Sequence, residues 1–192
     1  MYVSFIIRSI SQYVIVVIII SISGFIFIEP NIRFKKVIDK MSDDGIRKQL
    51  IRFEQGGIER EVYTSLYDKE AVIRYARSFI GTPHKMKGIS KKGIDCSGLV
   101  MVVHEKSGIS LPHSSQEQAR YGKIIFDTDS LERGDLLFYY NSYNSLSFIT
   151  HVGIYLGDHA FIHSSSKKGV IISKTTDAYW SGKYLFATRF SR

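Results

Sequence analysis

The chain contains one cysteine, Cys96, within the segment Gly-Ile-Asp-Cys-Ser-Gly-Leu-Val at residues 93–100. Asp95 precedes the cysteine and an apolar run follows it, so the pattern predicts a helix that begins at Cys96 with Asp95 as its N-cap. The dipole and the free N–H groups of a first helical turn favour negative charge. The thiol is therefore predicted to have a lowered pKa and to act as a nucleophile. A buried, unreactive cysteine is the alternative.

Two histidines flank a predicted turn downstream of the cysteine. His151 lies in the alternating run Thr-His-Val-Gly-Ile-Tyr-Leu, which is typical of a strand, and His163 lies in the next apolar segment. Gly157 is equidistant from both, so a hairpin symmetric about this glycine would place the two imidazoles directly opposite each other. A cysteine nucleophile needs a base, and the base needs an orienting group. Together the three residues predict nucleophilic catalysis.

A metal site is the competing interpretation of the same three residues. Zinc accepts one cysteine and two histidines with an open fourth position. The sequence has no CxxC pair, because Cys96 is its single cysteine. We therefore favour catalysis by the thiol over metal binding.

Several segments in a fixed order, with the cysteine among them, resemble the NlpC/p60 family of cell-wall cysteine peptidases. The matching segments are residues 95–100, 111–118, 134–138, 151–157, 161–165, 169–172 and 179–180. The resemblance covers roughly residues 69–190 and is more specific than any single motif. Within the family the pattern is most similar to that of the Spr-type (MepS-like) murein endopeptidases of Gram-negative bacteria.

The resemblance implies a papain-like α+β fold, with N-terminal helices packed on an antiparallel sheet. It implies that Cys96 is the nucleophile, His151 the general base and His163 the residue that orients His151. The implied reaction is hydrolysis of amide bonds in peptidoglycan stem peptides or their cross-links, with no metal and no organic cofactor. Asp95 and Ser97 flank the nucleophile and are candidates to bind the amine of the stem peptide.

The chain departs from the family pattern at two positions. His84 stands where the family usually has a tyrosine that assists the oxyanion site, although a neutral imidazole can still donate one N–H. His113 stands where the family usually has an arginine, so a permanent charge is missing near the cleft. Two alternatives to a peptidase follow: a catalytically silent, membrane-anchored cell-wall-binding module, and a related amidase, transpeptidase or toxin-like effector.

Composition divides the chain into three regions. Residues 1–28 are predicted to be a transmembrane anchor, because residues 9–28 carry no charge; a cleaved signal segment is the alternative. Residues 29–67 are charge-rich and are predicted to be a polar spacer with at most one short helix. Residues 68–192 are predicted to form the catalytic domain, beginning with a helix capped by Asp68.

The net charge of +8 arises beyond residue 30, since Arg8 and Glu29 cancel. A basic surface suits an anionic cell wall or membrane, and without a reader motif nucleic acid is not expected as a partner. The basic loop at residues 85–92 is either a solvated surface or an attractor for an anionic substrate. We expect a monomer in the cell envelope, anchored in the membrane with its catalytic domain in the periplasm or outside the cell; a cleaved, exported form is the alternative.

Overall fold

A computed structural model describes residues 32–62, 67–143 and 145–190. The helices of this part are α1 (Ile32–Lys40), α2 (Asp44–Gln55), α3 (Lys69–Arg77), α4 (Cys96–Glu105), α5 (Ser115–Gln118) and α6 (Ala178–Ser181). The strands are β1 (Ile89–Ser90), β2 (Gly93–Ile94), β3 (Lys123–Ile125), β4 (Leu136–Tyr140), β5 (Ile149–Gly157), β6 (Ala160–Ser165), β7 (Gly169–Lys174) and β8 (Tyr184–Arg189). None of these helices is long and apolar enough to cross a membrane. The segment predicted to be an anchor, residues 1–28, lies outside the described residues.

Six strands form one antiparallel sheet in the order β3-β8-β4-β5-β6-β7. Strands β4 and β5 lie in its middle, and nearly every residue of both is buried. Apolar side chains of both strands enter two hydrophobic clusters of the core. The remaining strands, β1 and β2, form a separate short hairpin. The α+β class with helices and an antiparallel sheet is confirmed.

Helices α3 and α4 begin where their capping residues predict. The Asp68 carboxylate accepts the backbone N–H groups of Glu70 and Ala71. The Asp95 carboxylate accepts the N–H of Gly98 at 2.7 Å, and α4 starts at Cys96. Each cap satisfies N–H groups that the first turn leaves without a helical partner. Helix α4 packs against β5, so its N-terminus is carried to the strand that holds His151.

Helices α1 and α2 belong to the same hydrophobic core as the sheet. Phe34 and Leu50 are fully buried in that core, and Phe53 is nearly so. The ring of Phe34 meets that of Phe186 in β8 edge-on, with 5.3 Å between centroids. The spacer predicted for residues 29–67 thus contains two helices that help to build the core. Charged residues dominate this segment, but its apolar residues recur every three or four positions, which gives each helix one buried face.

A tight turn joins β5 to β6. Gly157 pairs with Ala160, and the two residues between them, Asp158 and His159, both have positive φ, at 50° and 55°. Two central residues in the left-handed region are the mark of a type I′ hairpin turn. The prediction of a hairpin symmetric about Gly157 is therefore wrong, because the turn is centred beyond that glycine.

Candidate active site

The thiol of Cys96 lies at the first position of α4, buried with 7% of the residue exposed. Backbone N–H groups of Val152, Ser97 and Cys96 itself are directed at its sulfur. Val152 follows His151 in β5, so the strand that carries the histidine also contacts the sulfur. The packing of α4 on β5 therefore fixes the nucleophile relative to its prospective base.

Burial raises the pKa of the Cys96 thiol to about 12, and the neighbouring Asp95 carboxylate adds to the rise. The three backbone N–H groups act in the opposite direction without outweighing burial. The prediction of a lowered thiol pKa is therefore wrong. A helix N-terminus stabilises a nearby negative charge by only about 0.3–1 kcal/mol at an exposed site. Here the first turn is enclosed by protein, and the loss of hydration of the thiolate is the larger effect. At neutral pH the sulfur is protonated, so it needs a base to remove its proton before it can act as a nucleophile.

The two imidazoles predicted to meet do so, but across a diagonal. His151 Nε2 lies 2.9 Å from His163 Nδ1. Ile154 pairs with Ile162, and this register places Gly153 across from His163. The predicted directly opposite placement of the histidines is wrong, yet residues two positions apart on facing strands remain within reach of each other's rings. Because this contact uses Nε2, His151 keeps Nδ1 for a second partner.

A serine that the sequence analysis missed continues the hydrogen-bonded series. His163 Nε2 lies 3.0 Å from the hydroxyl oxygen of Ser173 in β7. His163 pairs with Ile171, so Ser173 is again the diagonal neighbour. A His151 that accepts a proton at Nδ1 must carry its hydrogen on Nε2 and donate it to His163. His163 then carries its own hydrogen on Nε2 and donates it to Ser173.

Trp180 encloses both histidines. Its ring stacks on that of His151 with centroids 4.9 Å apart and meets that of His163 edge-on at 4.8 Å. Burial lowers the pKa of His163 to about 3. Burial also holds the pKa of His151 well below its ordinary value, and the charges of His163 and His84 add to this effect. Both imidazoles are consequently neutral in the resting site. Trp180 both packs against the core and lines the cleft.

The Asp95 carboxylate accepts several hydrogen bonds beside Cys96. Besides the N–H of Gly98, its carboxylate accepts the Ser97 hydroxyl at 3.1 Å and the backbone N–H of Lys87 at 2.7 Å. The Nε2 of His113 lies 2.9 Å from the same carboxylate. Any role of Asp95 and Ser97 in binding a substrate amine therefore requires Asp95 to share its oxygens with these donors.

His84 is half-buried and is held beside the cysteine loop by its neighbours' backbone. Ile94 donates to the carbonyl of Pro83 at 3.1 Å, and Lys85 donates to the carbonyl of Ile94 at 3.3 Å. These bonds fix His84 alongside the residues that lead into Cys96. His84 and His151 line the same cleft.

One cleft of about 560 Å³ collects every residue that the sequence analysis selected. The residues in question are His84, Asp95, Cys96, Ser97, His151 and His163. Its size is that of a small-molecule or peptide site. No cluster of three or more His, Cys, Asp or Glu residues suited to a metal ion occurs in the described part of the chain. The arrangement can carry out acyl transfer with a thiol, a base and an orienting histidine.

Comparisons with known proteins agree on one family. The sequence profile of the NlpC/P60 family matches residues 81–189. A probable endopeptidase NlpC homolog of Haemophilus influenzae is 32% identical over 156 residues, covering 79% of this chain and 81% of that protein. The murein DD-endopeptidase MepS/murein LD-carboxypeptidase of Escherichia coli K12 is 40% identical over 110 residues, covering 57% of this chain and 56% of that protein. The crystal structure of an NlpC/P60 family protein from Bacillus cereus superimposes with a TM-score of 0.60 at 29% identity, covering 65% of this chain and 41% of that one.

Proposed function

Because the chain belongs to the NlpC/P60 family, we propose that it is a cysteine endopeptidase that hydrolyses amide bonds in peptidoglycan stem peptides or their cross-links. The observation that carries the proposal is the enclosure of Cys96 in one cleft with the hydrogen-bonded pair His151–His163. Relatives named as endopeptidases, one of them acting on murein, support the substrate class. The match covers little more than half of the murein endopeptidase and does not extend over that whole protein.

The first half-reaction forms a thioester. His151 Nδ1 takes the proton of the Cys96 thiol as the sulfur attacks the peptide carbonyl carbon. Positive charge on His151 is accommodated because its Nε2–H donates to His163. The negative oxygen of the tetrahedral intermediate accepts the backbone N–H of Cys96, with the His84 ring as a second donor; one such donor is worth about 3 kcal/mol. The C–N bond then breaks, and His151 delivers its proton to the leaving amine.

The second half-reaction releases the acyl group. Neutral His151 accepts a proton from water, whose oxygen adds to the thioester carbonyl. The C–S bond then breaks, and the proton on His151 returns to the sulfur. The resting site with a protonated thiol and neutral histidines is restored, so each proton taken up by His151 is given back within one turnover.

The location of the enzyme follows from its proposed substrate. We place it in the cell envelope as a monomer that contacts peptidoglycan, with its catalytic domain in the periplasm or outside the cell. The uncharged run at residues 9–28 supports a membrane anchor, because about 20 apolar residues match the bilayer core. A cleaved signal segment is the alternative for the same residues.

Digestion of purified sacculi tests the proposed function. The full-length chain and its Cys96→Ala variant are incubated with sacculi, and the released muropeptides are identified by mass spectrometry. Fragments released only by the wild type support the peptidase and identify the bond that is cut. A wild type that sediments with sacculi but releases nothing would instead establish the silent wall-binding module.

A further inference from the structure

Two segments that flank the cleft are rich in lysine and free of acidic residues. Residues 81–94 contain four lysines and residues 159–176 contain three, while neither segment contains an aspartate or glutamate. The sequence analysis considered only the first of them. In the chain as a whole acidic residues are common, at 18 of 192, so two such stretches concentrate positive charge at particular places on the surface.

The fold brings these two segments together. Gly81 donates to the carbonyl of Val170, and Val170 donates to the carbonyl of Thr82, both at 2.9 Å. Gly169 has a positive φ of 69°, and a Cβ atom there would lie 2.2 Å from the Thr82 carbonyl oxygen. Only glycine permits this approach, so the β6–β7 turn is fixed against the segment that leads to His84.

The combined basic region borders the cleft beside the catalytic histidines. Lys167 and Lys168 in the β6–β7 turn are exposed and line the cleft, as do the neighbouring residues Ser165 and Ser166. Neither lysine forms an ion pair within the described residues.

Neither of the carboxylates that line the cleft forms an ion pair with these lysines. Asp95 is buried and already accepts from several internal donors. Asp177, the other carboxylate that lines the cleft, accepts the backbone N–H of Lys174 at 3.3 Å. Ammonium groups without acidic partners at the edge of a cleft attract anions and raise their local concentration.

We propose that Lys167 and Lys168 form a carboxylate subsite of the cleft, so that the preferred substrate is a peptide with a free carboxylate close to the scissile bond. This inference rests on the proposed peptidase function and deepens it. The two ammonium groups can only donate, and the hydroxyls of the adjacent serines can also donate to a carboxylate. A carboxylate can accept from them with full charge complementarity, whereas the corresponding carboxamide brings no charge.

The test compares two synthetic stem peptides that differ only in one group, a free carboxylate or a carboxamide beside the scissile bond. We expect the wild type at low salt to show a kcat/KM about tenfold higher for the carboxylate peptide, since each exposed ion pair contributes modestly. In K167A/K168A the ratio should fall towards one, and in K167E/K168E it should invert. The matched control K48A/K123A removes two exposed lysines outside the cleft lining and should retain the wild-type ratio.

Binding to the inactive variant Cys96→Ala provides a readout that does not depend on turnover. Calorimetry should give a dissociation constant about tenfold lower for the carboxylate peptide, and this difference should shrink when salt is added. Cleavage of both peptides at equal rates, or a preference that survives K167A/K168A, would overturn the subsite and leave the peptidase intact. Failure of the wild type to cleave or bind either peptide would overturn the proposed function and the subsite together.

Discussion

At the scale of single residues, the candidate site is a series of side chains that are all neutral at neutral pH. The thiol of Cys96 is protonated because burial raises its pKa, and the two histidines are neutral because burial lowers theirs. The hydrogen bond from His163 to Ser173 extends the series to β7. This hydrogen bond fixes the tautomers of both histidines. When Ser173 accepts the hydrogen on His163 Nε2, His163 Nδ1 accepts the hydrogen on His151 Nε2, and His151 Nδ1 stays free for the proton of the thiol.

Ser173→Ala tests this positioning role. Loss of the hydrogen bond lets His163 carry its hydrogen on Nδ1, which would force the hydrogen of His151 onto the nitrogen that should act as base. One neutral hydrogen bond is worth about 1 kcal/mol, so kcat should fall about fivefold with little change in KM. Steady-state kinetics on a muropeptide measures both. Ser173→Thr, which keeps the hydroxyl, should restore activity, and Ser110→Ala at an exposed position should have no effect. A raised KM with unchanged kcat would contradict the role.

The sequence identifies the residues of the site better than it predicts their hydrogen-bond partners and pKa values. All six selected residues line one cleft, because residue type and order along the chain carry that information. Ser173 was missed because its contact with His163 depends on the exact register of two hairpins. The direction of the shift in the Cys96 pKa was missed because it depends on burial, which long-range packing determines.

At the scale of elements, the structure corrects the division of the chain. The caps at Asp68 and Asp95 were predictable, since a cap is a local interaction between neighbours in sequence. The contribution of α1 and α2 to the core was not predictable, because the burial of their apolar faces depends on long-range contacts with Phe186 in the sheet. Residues 32–55 therefore support the sheet from which His151 and His163 project.

Truncation of Phe34 tests whether α1 is a structural part of the catalytic unit. Phe34 is 0% exposed and contacts the rings of Phe53 and Phe186. Phe34→Ala should lower the free energy of unfolding by about 3–5 kcal/mol, measured by urea denaturation. Ile51→Ala on the same helical pair is the control, because Ile51 is 42% exposed and should cost less than about 1 kcal/mol. Equal, small effects of both substitutions would restore the interpretation of this segment as a spacer.

At the scale of the whole molecule, the fold encloses a third histidine that takes no part in the cleft. His104 in α4 is 0% exposed, its Nδ1 lies 2.8 Å from the Val100 carbonyl oxygen, and its Nε2 has no hydrogen-bond partner. Burial lowers the pKa of His104 to about 4. Together with His151 and His163 it makes the folded state bind fewer protons than the unfolded chain in mild acid.

The free energy of unfolding should therefore fall as pH decreases. A histidine with a lowered folded-state pKa stabilises the fold fully above its unfolded value near 6.5, and this stabilisation is lost as pH falls towards about 4 for His104. His104→Leu should reduce the slope of stability against pH in this window by up to about 1.4 kcal/mol per pH unit, the value for one proton. Urea denaturation between pH 7 and pH 4 measures the slope. A wild-type slope in His104→Leu would refute the assignment.

The most direct test of the central claim is the fate of one purified cross-linked muropeptide dimer in water enriched in ¹⁸O. We predict that the wild type converts the dimer into two products, one of which carries a single ¹⁸O in its new carboxylate, and that Cys96→Ala leaves the dimer intact. Liquid chromatography with mass spectrometry reads both outcomes from the same sample. An intact dimer with the wild type, or equal cleavage by Cys96→Ala, would contradict the assignment of Cys96 as the nucleophile of a peptidoglycan peptidase.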